Sequence, residues 1–116
     1  MSISDELFSS RSVEHYSPRL IVDAAIATMG SITLDPCSNP APFNVPAAVH
    51  YTKNDGGLAQ DWFGRVFMNP PYGRQVDMWV RKLIQSHTDP EKVGVTQAIT
   101  LLPARTDTKW FQLLRD

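Results

Sequence analysis

Arg65-Val66-Phe67-Met68-Asn69-Pro70-Pro71-Tyr72-Gly73 is the stretch on which the fold turns. Val66 to Met68 reads as a short buried strand. The two prolines end it at once, because proline has no backbone N–H for a sheet ladder and holds φ near about −65°. Upstream, Ser31 to Leu34 is another β-prone run, and it ends on a carboxylate, Asp35, followed again by proline. Downstream, Val76 to His87 is the clearest helix, with Val76, Val80, Leu83, Ile84 and His87 on one face.

Working outward, Ser17-Pro18 reads as a helix start, with serine as N-cap and proline at the first helical position. Arg19 to Met29 then places Val22, Ala25, Ile26 and Met29 on one face, and Gly30 is the stop. Pro36 to Pro46 holds Pro36, Pro40, Pro42 and Pro46 and is a loop. Ala47 to Tyr51 fits a short helical turn or a strand, and both readings stand. Asn54-Asp55-Gly56-Gly57 is a turn signal, and Leu58 to Trp62 suits a single helical turn. Val95 to Leu102 is a strand closed by Pro103. Asp107 to Leu114 is a last helix, with Trp110, Leu113 and Leu114 inward. This order predicts an α/β domain of three layers with a mostly parallel sheet. Residues 1–16 read as a flexible arm and 17–116 as the domain.

The chain has 116 residues and a formal net charge of −1. That charge argues against binding to nucleic acid by bulk electrostatics alone, and it leaves room for local basic contacts around one site. A lone cysteine, Cys37, rules out an internal disulfide and a cysteine-built zinc site and suits a reducing, cytoplasmic setting. The acidic, polar start is not a signal peptide. No apolar run approaches the roughly 20 residues of a membrane span. His15, His50 and His87 have no metal-ligand spacing, so no metal is expected.

Asn69-Pro70-Pro71-Tyr72 carries the functional weight. Ligands of open α/β sheets bind beyond the carboxyl ends of strands, which is where this tetrapeptide falls. An exocyclic aromatic amine is a poor nucleophile, because its lone pair is delocalised into the ring. Two acceptors aimed at its hydrogens favour the pyramidal geometry of attack. The Asn69 side-chain oxygen and the Pro70 carbonyl supply them, and Pro70 and Pro71 hold them ready. Tyr72 offers a face for a base to stack on, worth about 1–3 kcal/mol. Arg65, Arg74, Arg81, Lys82, Arg105 and Lys109 surround these motifs. A solvated face is the plain reading of such charges, and Arg74 and Arg105 are the candidates for phosphate or substrate contact.

These blocks resemble the phage and prophage DNA N-6-adenine methyltransferases of the Dam type. The matching residues are Tyr16-Ser17-Pro18, Leu34-Asp35-Pro36-Cys37-Ser38, Asp55-Gly56-Gly57-Leu58, Trp62, Val66 to Gly73, Trp79, and Leu101 to Phe111. The resemblance implies a Rossmann-like fold that binds S-adenosylmethionine and acts on DNA. It also implies residue roles. Ser17 and Pro18 would lie at the methionine end of the cofactor, Asp35 with Pro36 would end the first strand beside it, and Asp55 would contact its adenine. Asn69, Pro70, Pro71 and Tyr72 would be catalytic. The usual glycine-rich cofactor loop is replaced by Pro36-Cys37-Ser38-Asn39-Pro40, and no ribose-binding carboxylate follows a second strand. Members of the family continue into further strand structure, so a C-terminally truncated domain is expected. The alternatives are methyl transfer to RNA or a protein amide, or an inactive remnant that only binds.

Overall fold

The computed structural model describes residues 16–71, 73, 75–89, 91 and 93–102. Residues 1–15 of the expected arm over 1–16, the last helix over 107–114, and Tyr72, Arg74 and Arg105 lie outside them.

Helix α1 spans Arg19–Met29 and helix α2 spans Val76–Thr88; strands β1 (Ile32–Asp35), β2 (Ala47–His50), β3 (Gly64–Met68) and β4 (Val95–Thr100) form the sheet. The strand order is β2-β1-β3-β4, and every pairing is parallel. The expected α/β architecture with a parallel sheet is therefore present. The open segment Ala47 to Tyr51 resolves as a strand at one side of the sheet. Beyond its end, Tyr51 N–H donates to the Asp35 carbonyl and Ser38 N–H to the Tyr51 carbonyl, both at 2.9 Å. The ladder thus continues into the loop after β1.

Side-chain alternation along the strands divides the core in two. Leu34, Val66 and Met68 face α2, where they pack with Trp62, Val76, Trp79, Val80 and Leu83. Ile32 and Phe67 face α1, where they meet Val22, Ala25, Met29 and Val45. Among the described residues one helix covers each face, in keeping with the covering that an all-parallel sheet needs.

Four local readings shift. Pro18, not Ser17, is the N-cap of α1, in an extended conformation and without a side-chain cap bond. The Ser17 side chain is unavailable for capping because it is buried and bonded elsewhere. On α2 the inward position belongs to Trp79 rather than His87. His87 stays exposed, and its Nδ1 bonds the Val95 carbonyl. The helical turn begins a residue early, as a 3-10 turn over Gly57–Ala59. β4 stops at Thr100, although Leu101 N–H still donates to the Met68 carbonyl at 2.9 Å.

Candidate active site

The chain leaves β1 outward to β2, then returns to the other side of β1 as β3. The reversal point lies between β1 and β3, and their carboxyl ends are Asp35 and Met68-Asn69. A crevice forms at such a point because the flanking loops diverge in opposite directions. The structure has a cleft of about 530 Å³ there. Pro36 to Asn39 follow β1, Tyr51 to Lys53 follow β2, and Asn69 and Pro71 follow β3; all line it, with Gly56 to Ala59, Gln75 and Trp79. A second cleft, of about 440 Å³, is lined by Asp61 to Phe63, α2 side chains and Gly94, and holds none of the expected site residues.

Asn69 is only 3% exposed yet lines the larger cleft. Its Nδ2 donates to Ser17 Oγ at 3.1 Å, and Ser17 is itself tethered, since Asn44 Nδ2 donates to the Ser17 carbonyl at 3.0 Å. The other half of the amide is different: Asn69 Oδ1 is buried and has no partner. An unsatisfied buried acceptor is costly, typically about 1–3 kcal/mol, so such an atom at a cleft marks a place for a donor. The only other buried side-chain polar atom without a partner among the described residues is Trp79 Nε1, at the same cleft.

Asp35 is buried at the tip of β1, and Oδ1 accepts the Cys37 N–H at 3.2 Å. Burial pushes its carboxyl up to about 6, against the lowering effects of that hydrogen bond and of His50. Asp35 does not line the cleft; it shapes the Pro36-Cys37-Ser38 loop that does. The Cys37 thiol is pushed well up by burial and by Asp35, so it stays protonated. Asp55 also stays off the lining. Its Oδ2 accepts the Thr52 N–H at 2.8 Å and the Thr52 hydroxyl at 3.0 Å, closing the turn that presents Thr52 and Lys53.

Gly57 marks the closest approach of two walls. A Cβ there would stand 2.3 Å from the Pro36 carbonyl oxygen and 3.3 Å from the Trp79 ring. This glycine contact, rather than a glycine-rich loop after β1, lets the two segments meet.

Asn69, Pro71 and Pro36 thus meet at one cleft, and Ser17 stands behind Asn69. The chain matches the DNA N-6-adenine-methyltransferase (Dam) family over residues 10–116. It belongs to that family. No curated protein and no solved structure matches it. In this DNA N-6-adenine-methyltransferase family member, Arg65 is far from the cleft. It sits at the start of β3 and bonds Ser31 and Gln97. The described residues contain no cluster able to hold a metal ion and no helix long and apolar enough to cross a membrane. Sequence reading missed Tyr51, Gln75 and Trp79 as cleft residues. For Trp79 a signal existed: it lies three residues after Val76, on the helix's inward face.

Proposed function

We propose that this protein transfers a methyl group from S-adenosylmethionine to the N6 amine of adenine in DNA, in the cytoplasm of a bacterial cell and encoded by a phage or prophage. The observation that carries the reading is the unpaired, buried Oδ1 of Asn69 at a strand-tip cleft. It fits a ligand that donates hydrogen, as an amine does.

The cleft's residues suit the cofactor. The two residues that carry unpaired polar atoms of opposite sense, Asn69 and Trp79, line it, and its single charged lining residue among those described is Lys53. Pro36 to Asn39, Tyr51 to Lys53 and the Gly57 contact would hold the cofactor, which supplies a methyl carbon bearing a neutral thioether leaving group. Asp35 keeps the first of these loops in shape, and Asp55 the second. Ser17 and Pro18 act from behind Asn69.

A duplex hides adenine N6, so the base is extruded at a cost of roughly a few kcal/mol, or single strands are used. The flipped base stacks on Tyr72, while Arg74 and Arg105 meet phosphate. Asn69 Oδ1 and the Pro70 carbonyl accept the two amine hydrogens and localise the nitrogen lone pair. Positive charge would grow on the amine nitrogen as it takes the methyl group from the bound cofactor. Those two dipoles stabilise it. The proton leaves afterwards, so no base is needed before attack. Ser17 holds the Nδ2 side of the amide, which leaves Oδ1 free for the substrate.

The test is transfer of labelled methyl to DNA, with RNA and protein fractions run beside it. Asn69→Ala should lower the rate by roughly 10²–10³-fold, the usual cost of one positioned transition-state contact. Ser17→Ala should lower it by about tenfold with the fold intact, because a neutral hydrogen bond contributes about 0.5–1.5 kcal/mol. Full activity in Asn69→Ala ends the proposal, and uptake confined to RNA or protein moves it to another substrate.

A further inference from the structure

Trp62 and Trp79 are both buried on the α2 side of the sheet and stack on each other, with ring centroids 5.9 Å apart and planes 25° from parallel. Their indole nitrogens fare differently. Trp62 Nε1 donates to the Gly57 carbonyl at 2.8 Å. Trp79 is only 9% exposed, and its Nε1 has no partner. An indole N–H is a donor only, so neither rotation of a hydrogen nor a change of tautomer relieves it. The ring packs against Trp62 and the Gly57 backbone. Trp79 lines the open cleft, so a small shift of the ring offers this unpaired donor to an acceptor bound there.

We infer that the Trp79 N–H donates a hydrogen bond to the nucleoside half of the ligand that fills this cleft. The composition of the cleft walls favours that half. Pro36, Gly57, Leu58 and Tyr51 offer flat, largely apolar surface, and no carboxylate among the described residues lines the cleft to grip a ribose. Ring nitrogens and ribose oxygens are neutral acceptors, and an indole N–H matches them without a charge. A methionine carboxylate would call for a cation or several donors. This inference rests on the cofactor reading of the cleft and names a contact within it.

The experiment uses the full chain, labelled with nitrogen-15, with the indole resonances assigned from single Trp→Phe variants. Saturation with S-adenosylhomocysteine, and separately with adenosine, should move the Trp79 indole proton downfield and slow its exchange with water. The Trp62 resonance should stay in place, and methionine should move neither. By calorimetry Trp79→Phe should bind S-adenosylhomocysteine about tenfold more weakly, as expected for one lost hydrogen bond. Should that variant not fold, the unaltered chain's resonances decide alone. An unmoved Trp79 resonance at saturation overturns the inference, as does unchanged affinity in folded Trp79→Phe. A response to methionine but not adenosine overturns the assignment to the nucleoside half. If the unaltered chain binds none of the three, the cofactor reading itself fails.

Discussion

Asp35 shows how much one buried carboxyl does at this site. Its proton is held more tightly in the folded chain than in the unfolded one, because burial raises the carboxyl to about 6. Between the ordinary carboxylate range, about 4, and about 6, the unfolded state has lost this proton and the folded state has not. Stability therefore falls as pH rises through that window and is level above it. A shift of about two units corresponds to about 3 kcal/mol. Urea unfolding of Asp35→Asn beside the unaltered chain should show the variant gaining on it by up to about 3 kcal/mol between pH 4 and pH 7. A constant gap across that range would mean that Asp35 is not the group responsible. Sequence placed Asp35 at a strand tip correctly, but burial on its far side and the Cys37 contact were not legible. Both depend on how the loop folds back toward β2. Ser17 carries the same lesson. Serine before proline has the chemistry of a helix cap, yet a partner 52 residues away took its hydroxyl.

At the scale of elements, alternation and helical period carried most of the information. β1, β3, α1 and α2 are legible because each must present an apolar face to a core. β2 was not, since Ala47, Ala48 and Val49 have no strong alternation and its pairing is decided by the neighbouring β1. The start of β3 was also hidden. Gly64 has φ +72°, and a Cβ there would lie 2.6 Å from Thr33 Oγ1, the oxygen that accepts the Arg65 N–H. At this point the β3–β4 register shifts between Gly64 and Arg65. Gly64→Ala should therefore destabilise the fold by about 2–4 kcal/mol, combining the left-handed backbone with the crowding against β1. Thermal or urea unfolding measures it, and a loss under about 0.5 kcal/mol, the level of an ordinary surface change, would rule the contact out.

For the molecule as a whole, two strand-end motifs pointed to the site in the sequence, and the strand order came from the structure. A strand ending in Asp-Pro and another ending in Asn-Pro-Pro suffice to mark the crevice, provided the two strands are neighbours. The structure supplies that adjacency by parallel pairing of Leu34 with Val66. What sequence could not supply was the third wall. Trp79 reaches the cleft from a helix on one face, and Thr52 and Lys53 reach it from beyond β2. These are long-range arrangements without a local pattern.

Among the described strands, β1 and β3 are the two with a neighbour on both sides. In native-state hydrogen exchange, the amides of such interior strands open last, with the global unfolding event, while outer strands and loops open locally. Deuterium uptake should accordingly be slowest at Leu34, Val66 and Phe67, ahead of the residues of β2 and β4. Faster uptake at Val66 and Phe67 than at β4 would contradict this. The elbow bearing Asn69 is the direct continuation of the slowest segment. Its amide is thereby joined directly to the part of the chain expected to fluctuate least.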